Sequence, residues 1–425
     1  PARTAGAGRG ESRSGPCLLP LRRPEISAVA FPVDVLLRPG GGMIRRLRLL
    51  PLCRRTVFGD AARRSAAAAR RHDPRAAWPA FGGGGAGQAG TNQTINRIFF
   101  MDPKQLRIVF MGTPEFAVPS LRALVDGGYN VVAVVTAPDK PAGRGQKLRE
   151  SEVKVAAREA GIPVLQPEKL RAPEFVEALR ALRPDLGIVI AFRMLPETIW
   201  AMPRFGTFNL HASLLPRYRG AAPINRAVMN GDAETGVTTF LLNHEIDKGA
   251  ILGQIRVPIL PEDTAGSVYE RLMHVGTSLV TETVDRIASG EAVPVAQCDE
   301  PADSLRAAAP KIFREDCRID WRAEGVRIVN LVRGLAPAPS AWSRLCRDGE
   351  EGIDVKVHAA RFLAAERGEV LPEAGTVESD LRTSVRVVCG DGRVALEELQ
   401  LAGKRRMTVE ELLRGFRDIA ACRFE

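Results

Sequence analysis

Short apolar runs alternate with stretches of helical periodicity from residue 106 onward, and this alternation constrains the fold of the 425-residue chain more than any other feature. The first unit has a predicted strand at Arg107–Met111, a turn at Gly112-Thr113 and a predicted helix over 114–125. Further strands are predicted at 129–135, 164–165, 186–191 and 206–211, and further helices at 152–160 and 173–182. Strands joined by such helical crossovers run parallel, because the crossover returns the chain to the same end of the sheet. The pattern therefore predicts an α/β domain built on a Rossmann-like, doubly wound, mostly parallel sheet.

The chain keeps this character up to about residue 291 and then changes. Helices are predicted at 223–230 and 265–289, and strands at 236–242 and 250–259. Residues 294–310 are polar and punctuated by proline, which is typical of a linker. Alternating β-branched residues at 383–388 and 394–401 then predict a small, mainly β domain. We therefore place an α/β domain at 101–291, a linker at 292–309 and a C-terminal domain at 310–425.

Positive charge is concentrated in the first 100 residues. They contain 17 Arg, no Lys and five acidic residues, whereas the remaining 325 residues carry 43 basic and 45 acidic groups. Because they are rich in Ala, Gly and Pro and show no sustained periodicity, we predict a disordered leader. Its Arg-rich, acid-poor stretch from Met43 to Arg71 is typical of an organellar transit peptide; alternatively, residues 1–100 are upstream sequence, since Met101 closely precedes the first patterned segment. The rest of the chain has no net basic charge, so any polyanion must be bound by local basic patches.

Two further features exclude other classes of protein. No run approaches the roughly 18 to 20 uninterrupted apolar residues that a membrane-spanning helix requires, so a soluble protein is predicted. The seven cysteines have no paired spacing, which argues against a C-x-x-C metal site and against a disulfide framework. We expect free thiols in a reducing compartment.

The stretch Phe208–Gly220 concentrates polar side chains at the end of a predicted strand. Asn209 and His211 are two residues apart, so the alternation of a strand places both on one face. Open α/β sheets bind ligands beyond the carboxyl ends of their strands, which is where these residues are predicted to lie. Asp247 follows a second strand and could accept a hydrogen bond from His211, which would fix the tautomer of the imidazole and stabilise its protonated form. Taken alone, each of these residues could equally be an ordinary loop cap or turn residue.

Four segments together resemble the methionyl-tRNA formyltransferase family: Met111–Pro119, Ala142–Gly145, Asn209–Pro223 and Ile246–Gly249. The resemblance spans residues 106–425, and it is specific because the order and the spacing of the segments both match. It implies that residues 101–291 form a formyltransferase catalytic domain. It also implies that residues 310–425 form an oligonucleotide-binding-like (OB-like) β-barrel that binds tRNA.

The resemblance further implies roles for individual residues. Asn209, His211 and Asp247 match the catalytic trio of the family. The segment that contacts the tetrahydrofolate of the donor matches Ser213, Leu214, Leu215 and Pro216. A basic loop at 138–147 and a basic run in the barrel match regions that bind tRNA, and the residues selected there are Arg144, Lys147, Lys404 and Arg405.

The implied reaction transfers the formyl group of 10-formyltetrahydrofolate to the α-amine of methionyl-initiator tRNA. As the amine attacks, negative charge builds on the formyl oxygen, to which the Asn209 amide and a protonated His211 can donate hydrogen bonds. Asp247 would keep the imidazole charged and oriented. The chemistry requires no metal and no covalent enzyme intermediate. The implied protein is a monomer that acts away from membranes in the bacterial cytoplasm, or in the mitochondrial matrix if the leader is a transit peptide.

Two alternatives stay open. One is a formyltransferase for a small amine, either glycinamide ribonucleotide or an amino sugar, since these families share the trio; the basic loop and the extra barrel argue against it. The other is a non-catalytic tRNA-binding protein with the same fold, against which the intact trio argues. The sequence also departs from the family at Phe192-Arg193, where Tyr-Gly is common, and at Lys248 and Ala250, where Thr and Asp are common.

Overall fold

The computed structural model describes residues 101–142, 147–298, 308–347 and 351–425, so the predictions made for residues 1–100 and for Arg144 lie outside the described residues. The strands of the first domain are β1 (Ile108–Gly112), β2 (Val131–Val135), β3 (Lys140–Ala142), β4 (Lys147–Arg149), β5 (Val164–Leu165), β6 (Leu186–Ile190), β7 (Thr207–His211), β8 (Arg219–Gly220), β9 (Glu234–Leu241) and β10 (Ile251–Pro258). Its helices are α1 (Val118–Asp126), α2 (Glu152–Glu159), α3 (Pro173–Ala181), α4 (Glu197–Trp200), α5 (Pro223–Met229) and α6 (Ala265–Ala288). Among the helices in these ranges, none is long and apolar enough to span a membrane.

The main sheet of this domain has the strand order β10-β9-β7-β6-β1-β2-β5. The strands from β7 to β5 are parallel, whereas β9 and β10 extend one edge in antiparallel fashion. The chain moves outward from β1 to β5 and then continues with β6 on the other side of β1, so the direction of winding reverses there. Such a reversal opens a crevice at the carboxyl ends of the strands. The predicted Rossmann-like, mostly parallel sheet is confirmed.

Buried apolar side chains cover both faces of this sheet, which explains why its central strands are apolar throughout. On one face, Phe110, Ile188 and Phe208 pack with residues of α1, α2 and α6. On the other face, Val109 and Met111 pack with residues of α3 and α4. Successive residues of β1 therefore alternate between two cores.

The segment 137–147, predicted from its composition to be a loop, instead contains part of a β-hairpin. β3 and β4 pair in antiparallel fashion, with Lys140 opposite Arg149. The Lys154 ammonium donates to the Asp139 carboxylate over 2.5 Å at the base of the hairpin, and this bond is the main reason why the pKa of Asp139 is lowered. The composition gave no sign of these strands, because backbone pairing and an ion pair at the base hold them rather than apolar burial.

A buried carboxylate fixes the start of α6. The Asp263 side chain is 5% exposed and accepts hydrogen bonds of 2.8 and 2.9 Å from Arg271, 2.7 Å from the Leu260 amide and 2.8 Å from the Ser267 hydroxyl. The bonds from Arg271 are the largest cause of a pKa of Asp263 lowered to about 2. Thr264 and Ser267 then form a reciprocal capping box at the first turn of the helix.

We expect Asp263→Asn to reduce the free energy of unfolding at pH 7 by about 2 kcal/mol, because a carboxylate with a depressed pKa stabilises the folded state. This stabilisation is complete above the pKa that Asp263 has in the unfolded chain, which is about 3.9. It disappears as the pH falls towards 2, the pKa of Asp263 in the folded protein. Urea unfolding of both proteins, at pH 7 and as far below pH 4 as both stay folded, measures the effect. A difference between the two proteins that does not shrink at low pH would contradict the assignment.

The C-terminal domain is an antiparallel barrel with two added helices, α7 (Gly325–Leu335) and α8 (Val409–Gly415). The short strand β11 (Ala308–Ala309) precedes the barrel. The strands of the barrel are β12 (Ala341–Arg347), β13 (Ile353–Ala364), β14 (Val377–Ser379), β15 (Val385–Cys389), β16 (Gly392–Leu401), β17 (Met407–Thr408) and β18 (Cys422–Phe424). The barrel order is β14-β15-β16-β13-β12-β18, with β17 paired to β16. A bridge between Thr376 and Arg423 joins the two ends of this order, so the barrel is nearly closed. The predicted OB-like β-barrel is confirmed, whereas α7 and α8 were not predicted.

The two domains meet where α5 packs against α7. The Asn225 amide donates to the backbone oxygen of Gly334 over 2.8 Å. Arg333 donates to the backbone oxygens of Leu260 and Asp263, which precede α6. These contacts connect the barrel to the same helix start that the Asp263 carboxylate stabilises.

Candidate active site

β7 brings Asn209 and His211 to the carboxyl edge of the parallel sheet. This strand lies between β6 and β9, with Asn209 opposite Val189 on one side and Phe240 on the other. The His211 side chain is 7% exposed and Asn209 is half-buried. Oδ1 of Asn209 is buried and has no hydrogen-bond partner among the described residues. A buried polar atom costs free energy until a partner satisfies it, so this amide is ready to bind a polar group.

The chain that follows β7 holds the His211 imidazole. Nε2 of His211 lies 2.8 Å from the backbone oxygen of Tyr218; a carbonyl oxygen can only accept, so Nε2 carries the hydrogen. The ring also packs edge-on against Phe240, with 6.5 Å between the ring centroids. The Tyr218 phenol donates to Asp232 over 2.7 Å and accepts a bond from Asn230 over 3.0 Å. Burial, and then the bond to Asp232, raises the pKa of Tyr218 to about 12, so the phenol stays a neutral anchor.

Asp247 approaches His211 from the loop between β9 and β10. Its Oδ2 lies 4.0 Å from Nδ1 of His211, and its side chain is 15% exposed. This separation is within ion-pair range but is longer than a hydrogen bond. The same oxygen accepts a hydrogen bond of 2.9 Å from the backbone amide of Gly220. The structure thus brings the two side chains together, but the expected hydrogen bond between them is replaced by a bond from the backbone to the carboxylate.

The backbone is strained around this site. Asp247 has φ = +54°, and two other non-glycine residues with positive φ follow neighbouring strands, Ala191 (+47°) after β6 and Tyr218 (+60°) after β7. Side chains disfavour this left-handed region. Two residues beyond Asp247, a Cβ on Gly249 would lie 1.5 Å from the backbone oxygen of Leu241, so the loop can close only with glycine there. Strain of this kind clusters at functional sites, where the surrounding structure must hold it in place.

The segment predicted to contact the folate comes directly after β7 and is fixed by the neighbouring strands. The Ser213 hydroxyl is buried and donates to the backbone oxygen of Arg217 over 2.7 Å, so this side chain shapes the loop from within. The Thr238 hydroxyl on β9 donates to the backbone oxygen of Ser213 over 2.6 Å and accepts from the backbone amide of Leu215 over 3.1 Å. Gln254 on β10 donates to the Leu215 oxygen over 2.8 Å. Of the four predicted residues, Leu214 and Pro216 have partly exposed side chains.

Arg193 is one of the departures from the family pattern, and the structure shows how its side chain is accommodated. Its guanidinium donates to the backbone oxygens of Glu168, over 2.9 Å, and of Pro167. It also lies 5.6 Å from the centre of the Phe192 ring. These contacts tie the end of β6 to the segment that follows β5.

Comparison with known proteins identifies the family. The family model described as "Formyl transferase" matches residues 106–284, and that described as "Formyl transferase, C-terminal domain" matches residues 311–417. A methionyl-tRNA formyltransferase of Bacteroides thetaiotaomicron is 53% identical over 317 residues, which cover 75% of this chain and 98% of that protein. The protein of the same name from Parabacteroides distasonis is 53% identical over 323 residues, with coverages of 75% and 98%. The chain belongs to the methionyl-tRNA formyltransferase family.

Solved structures of other formyltransferases share the fold of this family member. A sugar 3N-formyl transferase, solved in the presence of dTDP and 5-N-formyl-THF, aligns with a TM-score of 0.50 and 18% identity over 71% of this chain and 99% of that chain. An N-formyltransferase from Helicobacter canadensis, solved with folinic acid and dTDP-3-aminofucose, gives the same TM-score and identity over 71% of this chain and 100% of that chain. At this level of identity the likeness concerns the fold alone.

The residues predicted to bind tRNA fall in two regions of this family member. Arg144 and the side chain of Lys147 lie outside the described residues, and in sequence Arg144 falls between β3 and β4. Lys404 and Arg405 are exposed in the turn between β16 and β17. The Arg405 guanidinium forms an ion pair of 2.8 Å with Glu411. The role of these four residues stays a prediction.

Thr238 and Gln254, which hold the loop after β7, were not identified from the sequence. Both are polar residues within strands, and they face each other across the β9–β10 pair. Their amide and hydroxyl groups are joined over 3.0 Å. The register of the two strands is needed to recognise such a pair, and the sequence alone does not provide it.

Proposed function

We propose that this chain transfers the formyl group of 10-formyltetrahydrofolate to the α-amine of methionyl-initiator tRNA. The observation that carries the proposal is the approach of Asp247 to within 4.0 Å of His211, beside Asn209, at the carboxyl edge of the sheet. It is supported by relatives named methionyl-tRNA formyltransferase, such as the one that is 53% identical over 98% of its length. A folate donor is supported by related folds solved with folinic acid or 5-N-formyl-THF. We also propose that the protein acts in the bacterial cytoplasm, since these relatives are bacterial, and that it acts as a monomer.

The hydrogen-bonding groups that remain free in the site suit the charge that develops during transfer. Nδ1 of His211 forms no hydrogen bond with a residue that the structure describes, and the Asp247 carboxylate lies 4.0 Å from it. We propose that the imidazole carries a hydrogen on both nitrogens during transfer, so that Nδ1 donates to the formyl oxygen as it becomes negative. The Asn209 amide supplies a second donor, and its unpartnered Oδ1 can accept an N–H of the attacking amine. Each such donor is already in position before the reaction begins, because β7 holds it there.

The proposed step balances without any other reactant. An α-amine has a pKa of about 7.7 to 8.0, so a substantial fraction is neutral and nucleophilic near pH 7. Attack forms the bond between the methionyl nitrogen and the formyl carbon, and collapse of the tetrahedral centre breaks the bond between that carbon and N10 of the folate. The methionyl nitrogen loses a proton and N10 gains one. The products are N-formylmethionyl-tRNA and tetrahydrofolate.

A competition experiment tests the choice of acceptor. The purified chain is incubated with 10-formyltetrahydrofolate and a mixture of methionyl-initiator tRNA, glycinamide ribonucleotide and a dTDP-amino sugar, and the products are identified by mass spectrometry. We expect formyl-methionyl-tRNA as the dominant product. Formylation of a small amine in preference to the tRNA would contradict the proposal, and so would tight binding of the tRNA without any formyl transfer.

The hairpin carries a separate expectation about the tRNA. We expect Arg144→Ala to raise the KM for methionyl-tRNA about ten- to a hundredfold, which corresponds to the loss of one charge-assisted hydrogen bond to a phosphate. The KM for the folate should not change. Steady-state kinetics at limiting tRNA measure the effect, and Arg122→Ala is the matched control, since Arg122 is an exposed arginine on α1 that pairs with Glu159. Equal kinetics for the two variants would remove Arg144 from the tRNA site.

A further inference from the structure

Gln297 lies at the centre of a hydrogen-bond cluster beside the candidate site. The segment that leaves α6 is held against β10 by two backbone bonds between Val295 and Ile251, of 2.7 and 2.8 Å. Two residues later, Oε1 of Gln297 accepts bonds of 3.1 and 2.8 Å from the Arg219 guanidinium. Its Nε2 donates to the backbone oxygens of Asp247, over 2.9 Å, and of Gly249, over 2.8 Å. A glutamine amide can make four such bonds, and this one makes all four.

These four bonds join the two loops that flank His211. Arg219 belongs to the segment after β7, which also supplies the Gly220 amide that binds the Asp247 carboxylate. Asp247 and Gly249 belong to the loop after β9, where the positive φ of Asp247 is unfavourable for a side chain. Gln297 thus holds the backbone on both sides of the carboxylate that faces the imidazole. Without these bonds, the loop is free to relax towards an ordinary conformation.

We propose that Gln297, which follows α6, is a positioning residue for Asp247. This inference rests on the proposed function, because it assigns to Gln297 the task of keeping Asp247 near His211. A displacement of about 1 Å in such a group can reduce a rate roughly a hundredfold. The segment continues to β11, which pairs in parallel with β8 at Arg219 and Gly220, so it contacts the same loop twice.

Two substitutions separate the two halves of the Gln297 amide. Gln297→Met keeps the length of the side chain and removes all four bonds. Gln297→Glu keeps an acceptor for Arg219 but removes the donors to Asp247 and Gly249. If Gln297 acts through Asp247, both variants should lower kcat about ten- to a hundredfold and leave both KM values within about twofold. If Gln297 only anchors Arg219, Gln297→Glu keeps wild-type kcat, which overturns the proposal.

The split between kcat and KM distinguishes positioning from a general loosening of the fold. A displaced Asp247 should lower kcat at unchanged KM in a protein that is fully folded at the assay temperature. A variant that has only lost stability should keep wild-type kcat per folded molecule. Cys298→Ala is the control within the same segment, since Cys298 is exposed, and circular dichroism verifies that every variant is folded.

A double-mutant cycle with Asp247→Ala distinguishes a failure of this inference from a failure of the proposed function. If Gln297 acts only through Asp247, Gln297→Met should cause no further loss of kcat in the Asp247→Ala background. If the loss of kcat in the double variant equals the product of the losses in the two single variants, Gln297 does not act through Asp247, and the positioning role is overturned. Wild-type kcat in Asp247→Ala itself would instead overturn the proposed site. Wild-type kcat in Gln297→Met beside an impaired Asp247→Ala would overturn only the present inference.

Discussion

The His211→Ala variant is expected to lose roughly a hundred- to ten-thousandfold in kcat, with little change in the KM for either substrate. The imidazole is held between the Tyr218 carbonyl at 2.8 Å and the Asp247 carboxylate at 4.0 Å. Alanine removes the imidazole, and with it a hydrogen-bond donor to the formyl oxygen, from a buried position, where electrostatic interactions are stronger than in water. Initial rates of formyl-methionyl-tRNA formation under saturating substrates measure the loss.

His244 provides the matched control for this experiment. Its side chain is 68% exposed, lies 3.5 Å from Glu197 and packs edge-on against Trp200. His244→Ala should therefore retain kcat within about twofold, although it also removes an imidazole from the same part of the chain. Near-normal turnover in His211→Ala, with circular dichroism showing a folded protein, would exclude the mechanism. An equal loss of kcat in His211→Ala and His244→Ala would show that the effect is not specific to His211.

The parallel sheet was predictable because strands that are covered on both faces must be apolar at every position. β6 is the clearest case, since all five residues from Leu186 to Ile190 are buried. β3 and β4 were missed because they contain Lys, Arg and Pro and are held by backbone pairing. β8 and β11 were missed for a related reason: each has two residues, and they pair across a large distance in sequence. Such elements depend on tertiary contacts that no local pattern indicates.

The proximity of Asn209, His211 and Asp247 was also predictable in part, whereas their roles stay predictions. The period of a strand placed Asn209 and His211 on one face, and the end of another strand placed Asp247 nearby. The partner of the Asp247 carboxylate was not predictable, because the left-handed conformations of Tyr218 and Asp247 turn the Gly220 amide towards it. Gln297 was not identified either, because a polar segment punctuated by proline is typical of a linker whether or not one of its side chains binds a loop.

Substitution of Asn209 is the second change with a large expected effect. We expect Asn209→Ala to lower kcat about a hundred- to a thousandfold, which is the usual cost of removing one donor to a developing oxyanion. Asn209→Asp keeps the size of the side chain but replaces the donor with a carboxylate near the developing charge, so its loss should be at least as large. Asn130→Ala is the control, since Asn130 is exposed at the opposite end of the sheet, just before β2.

The comparison of the two Asn209 variants decides what the amide does. If it served only to fill space beside Val189 and Phe240, Asn209→Asp would be nearly as active as the wild type, because the two side chains have the same shape. If it donates to the formyl oxygen, aspartate fails, and the loss appears in kcat because the bond strengthens only as charge develops. A loss confined to the KM for the folate would show instead that the amide binds the donor in its ground state. Asn209 and His211 lie two residues apart on β7, at the carboxyl edge of the sheet, so both can donate to one developing oxyanion, and this gives the reason to expect the kcat outcome.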